Sequence, residues 1–181
     1  MRTFVTCQFI AAVAVGMLAA ASAHAADVVQ TKTVGAYRVE LDVLPAEPFF
    51  SRQEVADKQV KEGMEIEGGA APVAPNADSH PNHHLVVHVF DGKSHRVITD
   101  AAVTMSFVSL DGKGSASEAP VVVPVVVMQM IGKGPASTHY GNNVTMPAGR
   151  YRVIVTVNGK TATFAATATD APSAPMGNMK M

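Results

Sequence analysis

The sequence predicts an all-β fold, an antiparallel β-sandwich with one short polar helix. Residues Tyr37–Val43 alternate between apolar and polar side chains, as a half-buried strand does. Asn158-Gly159 separates two further alternating segments, and this dipeptide accepts the positive φ angles of a type I′ hairpin turn. Leu85–Phe90 is apolar on both faces, which indicates that a second layer covers it. Two packed sheets therefore fit better than one open sheet.

The elements follow in a clear order after the first strand. Ser51 and Glu54 are spaced as a capping box and predict a helix over Ser51–Glu62. Gly68–Pro75 is rich in glycine and proline, so we expect a loop there. The remaining predicted strands are His84–Phe90, Arg96–Ile98, Ala102–Leu110, Val121–Ile131, Tyr151–Val157 and Thr161–Ala168.

The N-terminus has the pattern of a cleavable secretory signal peptide. Arg2 precedes an apolar run over Phe9–Ala21, and Ala23-His24-Ala25 follows as a small-residue processing site. No later apolar stretch reaches the roughly 20 residues that span a bilayer, so we expect the mature chain not to be membrane-spanning. The predicted organisation is a signal peptide over 1–25, a flexible segment over 26–35, one sandwich domain over 36–169 and a disordered Met-containing tail over 170–181.

Composition excludes several classes of function. The formal net charge is −1 and only 16% of residues are charged, which argues against a nucleic-acid partner or a basic membrane-binding surface. The single cysteine, Cys7, lies within the predicted signal peptide. Any metal site in the exported protein must therefore use atoms other than thiolate sulfur.

Histidines cluster where the predicted loop enters a strand, at His80, His83, His84 and His88. Imidazole is the commonest metal ligand. On a regular strand, His84 and His88 lie about 13 Å apart and do not hold one ion by themselves. His83 and His84 point to opposite faces, so at most one of them joins a given site. A solvated, non-binding histidine surface is the alternative interpretation.

A second group of candidate ligands is Met128-Gln129-Met130, followed after a short loop by His139-Tyr140-Gly141-Asn142-Asn143. We expect the loop to fold His139 back over a methionine, with Tyr140 and Asn142 orienting it. A set of thioether and imidazole donors favours copper over magnesium or calcium. The alternative is that both methionines only fill gaps in the core.

The Met-x-Met to His-Tyr-Gly segment resembles the periplasmic iron-uptake proteins that accompany high-affinity iron permeases. The resemblance spans roughly residues 37–157 and is specific only in that segment. It implies a dimeric immunoglobulin-like sandwich, a periplasmic location and a site that binds copper or iron. The residues that match the family's ligands are His84, Met130 and His139.

The chain departs from this family at two ligand positions. Val86 stands where the family has a glutamate, and a tight Asn158-Gly159 hairpin replaces the insertion that carries a later histidine. The fourth ligand is left open among Met128, His88, Met64, Glu65, a partner chain and water. Loss of the carboxylate favours copper over iron.

These observations predict a binding protein rather than an enzyme, because no Ser/His/Asp order, carboxylate pair or phosphate-binding loop stands out in the sequence. The protein would capture copper or iron and deliver it to a membrane permease or other transport system. The alternative function is an immunoglobulin-like structural or protein-interaction module with no metal role.

Overall fold

The computed structural model describes residues 30–67 and 80–169. The predicted signal peptide, residues 26–29, the Gly-rich loop and the Met-containing tail lie outside the described residues. Within the described ranges the fold is an all-β sandwich of two sheets with one short α-helix, as the sequence predicts. Its immunoglobulin-like character stays a prediction.

The elements are β1 (Gln30–Val34), β2 (Tyr37–Pro45), β3 (Phe49–Ser51), α1 (Arg52–Lys58), β4 (Met64–Ile66), β5 (His83–Asp91), β6 (Val103–Leu110), β7 (Val121–Val123), β8 (Val126–Met130), a 3-10 helix (Gly134–Ser137), β9 (His139–Val144), β10 (Gly149–Val157) and β11 (Lys160–Ala168). The larger sheet has seven strands in the order β1-β2-β5-β9-β8-β4-β3, and the smaller has four in the order β11-β10-β6-β7. All pairs are antiparallel except β3 with β4.

The main core lies between the two sheets and is built from alternate residues of their strands. The large sheet contributes the apolar residues of β5 that alternate with its histidines, and the small sheet contributes β-branched and aromatic side chains. Fully or almost fully buried members include Val39, Leu85, Val87, Val89, Val153, Val155 and Phe164. Burial of one such side chain contributes about 1.5–3 kcal/mol, so this layer makes a large favourable contribution to the stability of the sandwich.

The β10–β11 hairpin is confirmed. Asn158 and Gly159 form its two-residue turn with φ angles of 47° and 76°, as a type I′ turn requires. The Asn158 side chain also accepts a hydrogen bond from the Ala102 N–H and donates one to the Tyr37 hydroxyl. The Asn158 side chain therefore links the turn to β2 of the larger sheet and to the segment that leads into β6 of the smaller sheet.

Two predicted boundaries are wrong. Gln30–Val34 is not part of a flexible segment but forms β1, which pairs with β2. The helix has the predicted capping box at Ser51 and Glu54 but ends at Lys58 rather than Glu62. Gln59 adopts a left-handed conformation with φ of 50°, which stops the helix.

The predicted strand Val121–Ile131 is divided between the sheets. Val121–Val123 pairs with β6 and Val126–Met130 pairs with β9. Pro124 lies at the crossing because proline has no N–H to donate to a continuing ladder. Arg96–Ile98 forms no strand, and only an isolated bridge joins Val97 to Phe90.

The larger sheet curls, so that its outer face is partly enclosed. Phe49 on the edge strand β3 contacts His84 on β5, with ring centroids 5.3 Å apart. The chain between β2 and β3 crosses this face, and the Met64 N–H donates to the Pro48 carbonyl. A second apolar cluster forms here from Met64, Ile66 and Met128.

The described residues contain no helix with the length and apolar character needed to cross a membrane.

Gly141 allows β9 to approach β5 closely. A Cβ at this position would lie 2.0 Å from the Leu85 carbonyl oxygen. We therefore expect Gly141→Ala to lower the free energy of unfolding by about 1–3 kcal/mol or more, as overpacking does. Urea denaturation measures the loss. Gly112→Ala is the matched control, because a Cβ there meets nothing within 4 Å, and equal stability of the two variants would contradict the proposed constraint.

Candidate metal site

Four polar or soft side chains form one row across the outer face of the larger sheet. Directly paired residues of antiparallel strands lie side by side on the same face. Glu40 pairs with His88, and Met128 pairs with His139. Val87 pairs with Tyr140, so the next opposed pair is His88 and His139. The row therefore runs Glu40, His88, His139, Met128 across four strands.

The imidazole of His84 reaches this row from farther along β5. Its ring centroid is 5.8 Å from that of His139, with the planes nearly perpendicular at 85°. The His88 ring lies 5.4 Å from that of His139. His139 on β9 thus contacts both histidines of β5, which a regular strand separates.

The two central imidazoles are buried with one nitrogen free. His84 is 0% exposed and His139 is 2% exposed. Nδ1 of His139 donates to the Ser137 carbonyl at 2.8 Å, and Nδ1 of His84 lies 3.1 Å from Oδ1 of Asn143. Within the part of the chain that the structure describes, neither Nε2 atom has a hydrogen-bond partner. A buried polar atom in this state calls for a partner such as water, an ion or a ligand.

Asn143 sets the tautomer of His84. Its Nδ2 donates to the Glu47 carbonyl at 2.7 Å, and its Oδ1 accepts from the Glu47 N–H at 3.2 Å. These two bonds fix which end of the amide is oxygen, so an acceptor faces Nδ1 of His84. That nitrogen must carry the proton, which leaves Nε2 with a free lone pair.

Burial keeps these imidazoles neutral. Desolvation lowers the pKa of His84 to about 3, with a further decrease from the neighbouring His139. Desolvation also lowers the pKa of His139 to about 4, although its bond to Ser137 opposes the change. The pKa of the half-buried His88 is lowered for the same reason, against the attraction of Glu40. A cation that binds here therefore displaces no proton near pH 7.

The separation of the two central imidazole rings is compatible with a shared metal ion. With metal–nitrogen bonds of about 2 Å, two imidazoles on one ion have ring centroids roughly 5 to 6 Å apart, and the 5.8 Å between His84 and His139 lies in this range. Met128 is fully buried opposite His139 and supplies a thioether. No group of three or more His, Cys, Asp or Glu suited to a metal ion occurs in residues 30–67 and 80–169.

Met130 lies apart from the position that the family resemblance implies. It is 45% exposed and pairs with Met64, whereas Met128 is the methionine opposite His139. The structure thus brings His84, His139, His88 and Met128 together and leaves Met130 at the edge of the cluster.

His139 is presented by a strand, not by the expected loop. It begins β9, and alternate residues of that strand face opposite sides. Tyr140 and Asn142 face the main core, where they bind the Ile98 and Pro124 carbonyls, so their predicted role beside His139 is wrong. Asn143 is the residue that sequence reasoning missed. Period-two spacing from His139 identifies it only once β9 is recognised as a strand.

No protein-family model, curated protein or solved structure matches this chain.

The lowered pKa values predict the pH dependence of the metal-free protein. The unfolded state binds protons at His84 and His139 below pH about 6.5, and the folded state does not until pH 4 or below. The contribution of these two histidines to the free energy of unfolding is therefore complete above pH 6.5. It decreases toward pH 4, by about 1.4 kcal/mol per pH unit for each histidine. Urea denaturation at several pH values measures this slope. His84→Phe should reduce it by one histidine's share, and an unchanged slope would contradict the assignment.

Asn143 provides a separate prediction about the tautomer. Asn143→Leu removes the acceptor that faces Nδ1 of His84, so we expect two-bond ¹H–¹⁵N spectra to show a mixture of His84 tautomers. Metal affinity should fall about 10- to 100-fold, as for loss of other residues that orient a ligand. Asn143→Asp is the control, because it keeps the oxygen and should keep the Nδ1–H tautomer. A single unchanged tautomer in Asn143→Leu would exclude this role.

Proposed function

We propose that the protein is a periplasmic copper-binding protein that holds the ion with His84, His139 and Met128. The observation that carries this proposal is the pair of buried imidazoles whose Nε2 atoms are free beside a buried thioether. Two borderline nitrogen donors and one soft sulfur donor suit copper. The fourth ligand stays open: the His88 ring also lies against His139, but the described residues contain no group of three histidines suited to one ion.

Copper is preferred to iron because no carboxylate joins the two imidazoles in a group suited to a metal ion within the described residues, although Asp42 pairs with Val86 on the same face. Val86, which is buried on the same face between His84 and His88, occupies the position of the glutamate in the resembled family. Glu40, at the end of the row, is paired with Arg38. Fe²⁺ tolerates oxygen donors well, and a site without them loses more affinity for iron than for Cu(I).

Binding and delivery fit the site better than catalysis does. The two central histidines are almost fully buried, so a substrate has little access to an ion between them. The proposed role is therefore to capture copper and pass it to a membrane transport system, as the resemblance to permease-associated proteins implies. An immunoglobulin-like interaction module without a metal role is the competing function, and the next experiment separates the two.

The test is a titration of the mature protein with Cu(I) under anaerobic conditions, with a chelator as competitor. We expect one equivalent to bind tightly and, at 100 times the dissociation constant, to raise the melting temperature by roughly 5–10 °C. Met128→Leu conserves volume and removes the sulfur. Because even residues that only orient a ligand contribute about 10- to 100-fold, this variant and His84→Phe should each lose about 100-fold or more in affinity.

The matched control is His95→Asn. His95 is exposed in the turn after β5 and has a positive φ of 57°, a conformation that asparagine tolerates. This variant should bind copper as the wild type does. No shift in melting temperature for the wild type, or equal affinity in all the variants, would favour an interaction module and exclude the proposed site.

A further inference from the structure

The methionines next to the candidate site form a series of decreasing burial. Met128 is 0% exposed, Met64 is 7% exposed and Met130 is 45% exposed. Met64 pairs directly with Met130, and Met64 packs against Met128 in the second apolar cluster. Met128 and Met130 lie on one face of β8, two residues apart. Thioether groups therefore extend from the surface to the buried imidazoles.

The opposite end of the donor row is covered by a charged pair and an aromatic ring. Arg38 forms an ion pair with Glu40, the last member of the row. The Arg38 guanidinium also lies 4.1 Å from the centroid of the Phe90 ring, and this ring stacks on His88. This end therefore offers an incoming Cu(I) no soft donor, whereas the methionine edge offers thioether sulfur.

We propose that Met130 and Met64 form an acquisition site where Cu(I) first binds before it moves to Met128, His139 and His84. This inference rests on the proposed copper function. Thioether sulfur binds Cu(I) but only weakly binds Cu(II) or harder ions, so the edge selects the oxidation state. Transfer is an exchange of ligands on one ion: each step forms a bond to a more deeply buried donor and breaks one to an outer sulfur, with no redox change.

A solitary exposed methionine needs no explanation. Met130 differs because two more methionines lie between it and the imidazoles. Met64 pairs with Met130, and Met128, two residues away on the same face of β8, pairs with His139, whose Nε2 has no hydrogen-bond partner. Leucine would pack equally well in each of these positions. Replacement of sulfur by carbon at the two outer positions therefore separates a transport role from a packing role.

The experiment measures how fast Cu(I), supplied as its acetonitrile complex, loads the mature protein in anaerobic stopped flow. In Met130→Leu and Met64→Leu we expect loading about tenfold slower, within the one to three decades over which association rates vary among related variants. The equilibrium affinity should stay within threefold of the wild type. Met105→Leu is the matched control, because Met105 is a buried methionine of the main core and should load normally.

Three outcomes overturn the inference. One is an unchanged loading rate in both outer variants, and another is an equal slowing in Met105→Leu. The third is a large loss of equilibrium affinity in Met130→Leu, which would make it a resident ligand rather than an entry site. In each case the His84→Phe titration tells whether the copper function itself survives. Absence of histidine-dependent binding in the wild type would instead remove the proposed function.

Discussion

The pairing of β9 with its neighbours is the constraint on which the rest of the outer face depends. This strand places His139 between His88 on β5 and Met128 on β8, so that donors from three strands meet although they are far apart in sequence. The approach is close enough that position 141 has no room for a side chain. A shift of one residue in this register would turn His139 toward the main core.

The buried imidazoles carry an energetic cost that the core must offset. Two Nε2 atoms without hydrogen bonds lie where water is excluded, and an unsatisfied buried polar atom costs about 1–3 kcal/mol. The opposite faces of the same strands form the packed layer between the sheets, and the free energy gained by burying that layer offsets this cost. Local instability of this kind is typical of sites that await a ligand, and a bound cation would convert the two orphaned lone pairs into bonds.

Hydrogen bonds from outside the row fix the tautomers of the two imidazoles, so that each keeps an Nε2 lone pair. The segment between β2 and β3 contributes only backbone atoms, yet through Asn143 it determines which nitrogen of His84 carries the proton. The Ser137 carbonyl does the same for His139. The two tautomers are therefore set by parts of the chain that bear no candidate ligand themselves.

The sequence determined by itself the features that depend on local pattern: the all-β class, the capping box at Ser51, the Asn158-Gly159 hairpin and the histidines and methionines that supply donors. It did not reveal that residues 139–144 form a strand, because Gly141, Asn142 and Asn143 have low strand propensity and are held in the sheet by neighbours on both sides. Tertiary structure alone decided that Met128 rather than Met130 faces His139, and that Asn143 supports His84. Register and sheet curvature are set by contacts between residues distant in the chain, and no local pattern encodes them.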